Sequence, residues 1–111
     1  MDEERARRIG ANEALFREVN ERFEGLNEAF AAITDTFEIT CECGDVSCLE
    51  RITVPLEEYE RIRDDSALFL IVAGHEISDV EDVVERHDGH VVVRKHPGPP
   101  REVAERTDPR S

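Results

Sequence analysis

The run Phe37-Glu38-Ile39-Thr40-Cys41-Glu42-Cys43-Gly44-Asp45-Val46-Ser47-Cys48-Leu49-Glu50-Arg51-Ile52-Thr53-Val54 alternates apolar and polar residues toward both ends and holds three cysteines in its middle. Period-two alternation is the pattern of a half-buried strand, so the ends predict two strands joined as a hairpin with the cysteines at its tip. Cys41 and Cys43 are two positions apart, and an extended chain sends their sulfurs to the same face. Gly44-Asp45 permits a tight reversal that returns Cys48 toward that pair. A fourth donor has to come from another element. His75 is the candidate, because it follows the apolar run Leu68-Phe69-Leu70-Ile71-Val72, and the turn after such a strand can lie beside a hairpin tip. His87 is the replacement if His75 faces away.

Three thiolates and one imidazole make the closed tetrahedral set that structural zinc prefers. The expected metal ligands are therefore Cys41, Cys43, Cys48 and His75, with zinc as the cofactor. The C-x-C-x4-C spacing is less specific than paired C-x-x-C knuckles, so an iron–sulfur or other metal centre stays open. Unligated thiols stay open too, with Cys48 able to form a redox-labile disulfide to Cys41 or Cys43. Asp45, Glu42 or Glu76 would accept a hydrogen bond from the imidazole. His75-Glu76 lacks the second histidine of H-E-x-x-H, and no glycine-rich phosphate loop or nucleophile elbow occurs, so a catalytic reading has little to stand on.

Outward from the hairpin, the sequence predicts an α+β fold of order α-β-β-α-β-α-β. Upstream, Ile9, Asn12, Phe16, Val19, Phe23, Leu26, Phe30 and Ile33 alternate spacings of three and four, the seam of an amphipathic helix that either covers the sheet of its own domain or packs on a partner helix. Asn12 is its one polar member and would set register in a homodimer. Arg5, Arg8, Glu13, Arg17, Glu18, Glu21, Arg22 and Glu28 flank the seam as a solvated charged face. Downstream, Pro55 ends the second strand and opens a helix with Leu56, Tyr59 and Ile62 inward. Leu68–Val72 reads as a central strand, being apolar on both faces. Ser78-Asp79-Val80-Glu81 has the form of a capping box that opens a short helix with Val80, Val83 and Val84 inward. Asp88-Gly89 then turns the chain into a last strand, His90–Lys95. The predicted division is residues 1–33 as the amphipathic helix, 34–96 as a small zinc-binding domain, and 97–111 as a flexible Pro-rich tail with at most one weak helical turn around Glu102 to Arg106.

Composition narrows the partners. The 111 residues carry 27 acids against 14 bases, a net charge of −13, and Lys95 is the only lysine. So acidic a surface repels nucleic-acid phosphates and anionic lipid, which leaves a protein partner, or self-association through the helix seam. No apolar run approaches the length of a membrane helix, and the charged Met1-Asp2-Glu3-Glu4-Arg5 lacks a signal core, so the expectation is a cytoplasmic protein without membrane contact. In that compartment clustered cysteines are metal ligands or redox sites more often than disulfides.

The segment 12–22, Asn-Glu-Ala-Leu-Phe-Arg-Glu-Val-Asn-Glu-Arg, taken with Cys41-Glu42-Cys43 and Cys48, Glu58-Tyr59-Glu60, Gly74-His75-Glu76 and Val83-Val84-Glu85-Arg86, resembles a family of small uncharacterised proteins from high-GC Gram-positive bacteria. The resemblance spans about residues 7 to 96. It implies that helix, cysteines and Gly-His-Glu turn form one recurring unit, and it implies no activity. The functional expectation is a zinc-stabilised interaction or regulatory module that is not an enzyme. A thiol or zinc redox sensor is the alternative, and a metal-dependent hydrolase the third reading.

Overall fold

The computed structural model describes residues 3–34 and 36–110, apart from the side chains of Phe23, of residues 25–34 and of Phe37. It is a mixed α+β fold. Helix α1 spans Glu3–Thr34, and strands β1 (Thr36–Thr40) and β2 (Arg51–Pro55) form an antiparallel pair with Ile39 opposite Ile52. Helix α2 (Leu56–Arg63) starts directly after Pro55, whose extended φ of −64° and ψ of 143° suit the position before a helix. Strands β3 (Leu68–Val72), β4 (Glu81–Arg86) and β5 (His90–Lys95) form a second antiparallel sheet of order β3-β5-β4, and helix α3 (Pro99–Arg106) follows.

Alternation along β3 and β5 explains their unbroken apolar runs. Leu68, Leu70 and Val92 pack on one side of the sheet with Ile39, Ile52, Val54, Tyr59 and Ile62. Phe69, Ile71, Val91 and Val93 pack on the other with Cys41, Cys43 and Ala104. Each strand is buried on both faces, which removes the need for polar alternation.

Four sequence expectations are corrected. The capping box at Ser78–Glu81 delivers a single turn, with the Ile77 amide donating to Glu81 Oε2 at 3.0 Å, and residues 81–86 then form a strand instead of a helix. Pairing with β5 wins over the local signal because Val83 and Val84 are β-branched and suit a sheet. A register shift between Val83 and Glu85 leaves Val84 exposed. Second, β5 and not β3 is the central strand of its sheet. The outer edge of β3 is covered by Glu42, whose amide donates to Leu70 O at 2.9 Å while its carboxylate accepts from Leu70 N at 3.0 Å.

Third, Pro99–Arg106 form a packed helix within the stretch expected to be a flexible tail. Pro99 and Pro100 open α3, whose Val103 and Ala104 are buried, and a side chain on Gly10 of α1 would meet Val103 at 3.2 Å. Arg110 pairs with Glu21, Glu24 and Glu60.

Fourth, among the described side chains the inward face of α1 is only partly the apolar seam: Ile9 is buried with Ala6 and Val80, but polar residues share that face. Asn12, Phe16 and Val19 are half-buried, whereas Glu13 and Arg17, expected on the solvated face, are fully buried, as is Asn20. The seam positions Phe23, Leu26, Phe30 and Ile33 lie outside the described side chains. Arg17 donates to the carbonyls of Ser66 and Ala104, both at 2.6 Å, and lies 4.5 Å over the Phe69 ring. Asn20 pairs with the main chain of Thr40 as a strand would, accepting from its amide at 2.8 Å and donating to its carbonyl at 2.9 Å. Lys95 donates to Glu13 and, at 2.7 Å, to Glu81, all three being buried.

Two carboxylates facing one ammonium leave an excess negative charge, which a buried site does not tolerate. Burial, aided by the nearby Glu81, holds the Glu13 carboxyl well above its ordinary range despite the opposing pull of Lys95. The folded chain therefore keeps a proton that the unfolded chain releases. The stability this contributes is complete below the ordinary glutamate value near 4.5 and is lost as pH rises through the raised value. Glu13→Gln should remove a decline of about 1.4 kcal/mol per pH unit that runs between the ordinary glutamate value and the raised one. Urea midpoints of the two proteins across the weakly acidic range test this, and parallel pH curves would sink it. Asn20→Ala, which strands buried groups of Thr40 and Glu42, should cost about 3 kcal/mol in the same assay.

Candidate metal centre

The cysteine segment is an extension of the β1–β2 ladder. Beyond Thr40 the Cys41 amide still pairs with Glu50 O at 3.0 Å, and then the chain leaves β2 to meet β3 at Leu70. Pleating sends Cys41 and Cys43 to one face and Glu42 to the other. Cys41 and Cys43 are buried, and Cys48 is partly exposed. Asp45 builds the reversal between them: its carboxylate accepts from the Ser47 amide at 2.9 Å and the Ser47 hydroxyl at 2.7 Å, and its carbonyl accepts from the Cys48 amide at 3.0 Å. Gly44 is required by close approach rather than by backbone angle. A Cβ there would fall 2.5 Å from Ile9 Cγ2 and 3.1 Å from Ile77 Cδ1.

His75 reaches the cluster through a turn at the end of β3, in which its amide donates to Val72 O at 2.9 Å and Gly74 adopts φ of 95°. Its Nδ1 lies 3.7 Å from Cys41 Sγ and 3.6 Å from Cys48 Sγ, and the donor atoms of Cys41, Cys43, Cys48 and His75 all lie within 4.8 Å of one another. A tetrahedral zinc site with ordinary bond lengths has sulfur–nitrogen edges of about 3.6 Å and sulfur–sulfur edges of about 3.8 Å. The observed sulfur–nitrogen distances fit that frame. Main-chain amides face the sulfurs as they do around bound thiolates, with Val72 N–H donating to Cys41 Sγ at 3.2 Å. Four protein donors close the coordination sphere, so the arrangement suits holding a metal rather than activating water.

The thiols are inequivalent. A hydrogen bond from Cys41 holds the Cys43 thiol down at about 5, against the effect of burial. Donating that bond, together with burial, pushes Cys41 far up, and burial raises Cys48. The metal-free cluster is thus one thiolate shared by two thiols.

The structure brings Cys41, Cys43, Cys48 and His75 together, and places the replacement His87 elsewhere, beside Glu85 at 3.0 Å. The expected hydrogen-bond acceptors for the imidazole are otherwise engaged. Glu42 points away from the sulfurs and accepts from Asn20 Nδ2 at 2.7 Å and Arg63 Nη2 at 3.2 Å. Asp45 holds Ser47, and Glu76 accepts from the Gly74 amide at 2.8 Å. Asn12 is likewise committed within the chain, donating to Gly44 O at 2.9 Å rather than waiting for a second helix. Sequence reasoning missed Glu42 and Asn20 as the supports of the site. The period-two pattern around Cys41-Glu42-Cys43 did contain the signal, because it requires Glu42 to point away from the cysteines.

Comparison of the chain with protein-family models, with curated proteins and with solved structures gives no match.

Metal binding requires all three sulfurs as thiolates, so at neutral pH Cys41 and Cys48 must each release a proton while Cys43 has already done so. Calorimetric zinc titrations in buffers of differing ionisation enthalpy should record that release, and affinity should fall as pH is lowered. A heat independent of the buffer would contradict the assigned protonation.

Proposed function

We propose that Cys41, Cys43, Cys48 and His75 hold a structural zinc ion, and that the chain serves as a small interaction or regulatory module without catalytic activity. The observation that carries this reading is the fit of the His75 Nδ1 distances, 3.7 and 3.6 Å, to the edges of a closed tetrahedron. The ion would fasten the β1–β2 loop to the end of β3. That loop displays Val46 and Leu49, apolar side chains 60% and 87% exposed, on a frame the metal would stiffen. The net charge of −13 favours a basic protein partner over nucleic acid or anionic lipid. Among the described residues no helix is long and apolar enough to cross a membrane. Self-association through α1 would use exposed Leu15 with half-buried Phe16 and Val19. The cytoplasm, which keeps thiols reduced, is the compartment that suits this chemistry, and the small proteins of high-GC Gram-positive bacteria remain the family we assign it to.

A redox role for the same site is the second reading, favoured by the low value of Cys43 beside the partly exposed Cys48. Peroxide would oxidise the Cys43 thiolate to a sulfenic acid, and the Cys48 thiol would displace water to form the disulfide and expel the metal.

Native mass and elemental analysis of protein purified under reducing conditions should give one zinc per chain, lost in Cys43→Ser. Metal-free wild type that still folds would remove the zinc reading. Mild peroxide should release the ion if the redox reading holds, and a retained ion would leave the fastener alone.

A further inference from the structure

The β4–β5 turn His87-Asp88-Gly89-His90, with Glu58 of α2, assembles a second group of metal-ligating atoms that contains no cysteine. The His87 amide donates to His90 O at 2.9 Å, which makes the two histidines cross-strand neighbours, and Gly89 takes the φ of 84° that the short turn demands. Cross-strand neighbours project to the same face, and the two imidazoles accordingly stack with centroids 4.8 Å apart. Glu58 of α2 meets them. Its Oε1 lies 3.5 Å from His87 Nε2 and 3.4 Å from His90 Nε2, and the three donor atoms lie within 4.8 Å of one another.

We propose that Glu58, His87 and His90 bind a divalent transition-metal ion at a site separate from the cysteine cluster. Two imidazole nitrogens and a carboxylate oxygen suit zinc, nickel or copper, and nitrogen–oxygen edges of a tetrahedral site with such ligands are about 3.3 Å. The observed 3.4 and 3.5 Å therefore need little closing. His90 is held by burial while His87 is exposed, so His87 supplies the tilt that converts two nearly parallel rings, 10° apart, into convergent donors. Glu85 competes with the metal for His87. It accepts both Arg61 nitrogens at 2.8 Å and sits 3.0 Å from His87 Nε2, the nitrogen it would yield to the metal. Three protein ligands leave coordination positions open to water or to a donor from another molecule, the opposite of the closed cysteine set.

The test uses the full chain, zinc alone as the probe, and imidazole nitrogen resonances as the readout. Zinc is added in successive equivalents at neutral pH under reducing conditions. The expected result is that one equivalent perturbs the His87 and His90 nitrogens together, and that His87→Ala, at an exposed position, weakens this binding by more than about tenfold while leaving binding at His75 intact. Glu58→Gln should weaken it as well. Unmoved His87 and His90 resonances when zinc is in large excess, or equal affinity in His87→Ala, would overturn the proposal. Because His75 reports on the cysteine cluster by its own resonance, failure of either site is seen independently of the other.

Discussion

The structure depends on the buried carboxylate of Glu42. A carboxylate taken out of water is costly unless its oxygens are supplied with donors, and here those donors come from three different elements: Asn20 of α1, Arg63 of α2 and the Leu70 amide of β3. Arg63 is itself fully enclosed and donates to Leu68 O at 2.6 Å. Removing one partner of such a pair leaves an uncompensated charge and costs about 3–5 kcal/mol. The same residue fixes the cysteines, because a pleated chain whose middle side chain is held on one face must offer Cys41 and Cys43 on the other. The metal centre is therefore shaped from behind, by an ion pair that never touches it.

The seating of α1 follows the same logic. Apolar stripes tolerate sliding, since any apolar neighbour is nearly as good as another, whereas hydrogen bonds and buried charges are directional. Glu13 needs Lys95, Arg17 needs two specific carbonyls, and Asn20 needs both main-chain groups of Thr40. A helix displaced by one turn would strand all of them. Register is thus specified inside one chain by Asn20 and by two residues expected on the charged side, Glu13 and Arg17, while the described apolar seam residues Phe16 and Val19 are only half-buried.

How much could be read beforehand differs by element. The β1–β2 hairpin, the cysteine tip, α2 after Pro55 and the approach of His75 were legible, because period, proline and turn chemistry act within a few residues. Residues 81–86 were misread since a local capping signal competes with a strand pairing to β5 that only the folded sheet supplies. Pro97-Gly98-Pro99-Pro100 concealed the start and the packing of α3, of which only a weak turn around Glu102 to Arg106 was legible, for a related reason. Proline is unfavourable inside a helix but well placed at its first turn, and the burial of Val103 and Ala104 that stabilises α3 comes from α1 and the sheet. The burial of Glu13 and Arg17 was illegible in principle from local sequence, as charged residues at helical spacing look the same whether their partners are water or Lys95.

The buried polar face of α1 also bears on how the chain is made. Arg17 finds one carbonyl 49 residues and the other 87 residues further along, and ribosomes add about 5–20 residues per second, so the second partner trails by about 4–17 s. An apolar docking face would spend that interval seeking any greasy surface in the crowded exit zone. A face of glutamate, arginine and asparagine spends it hydrated.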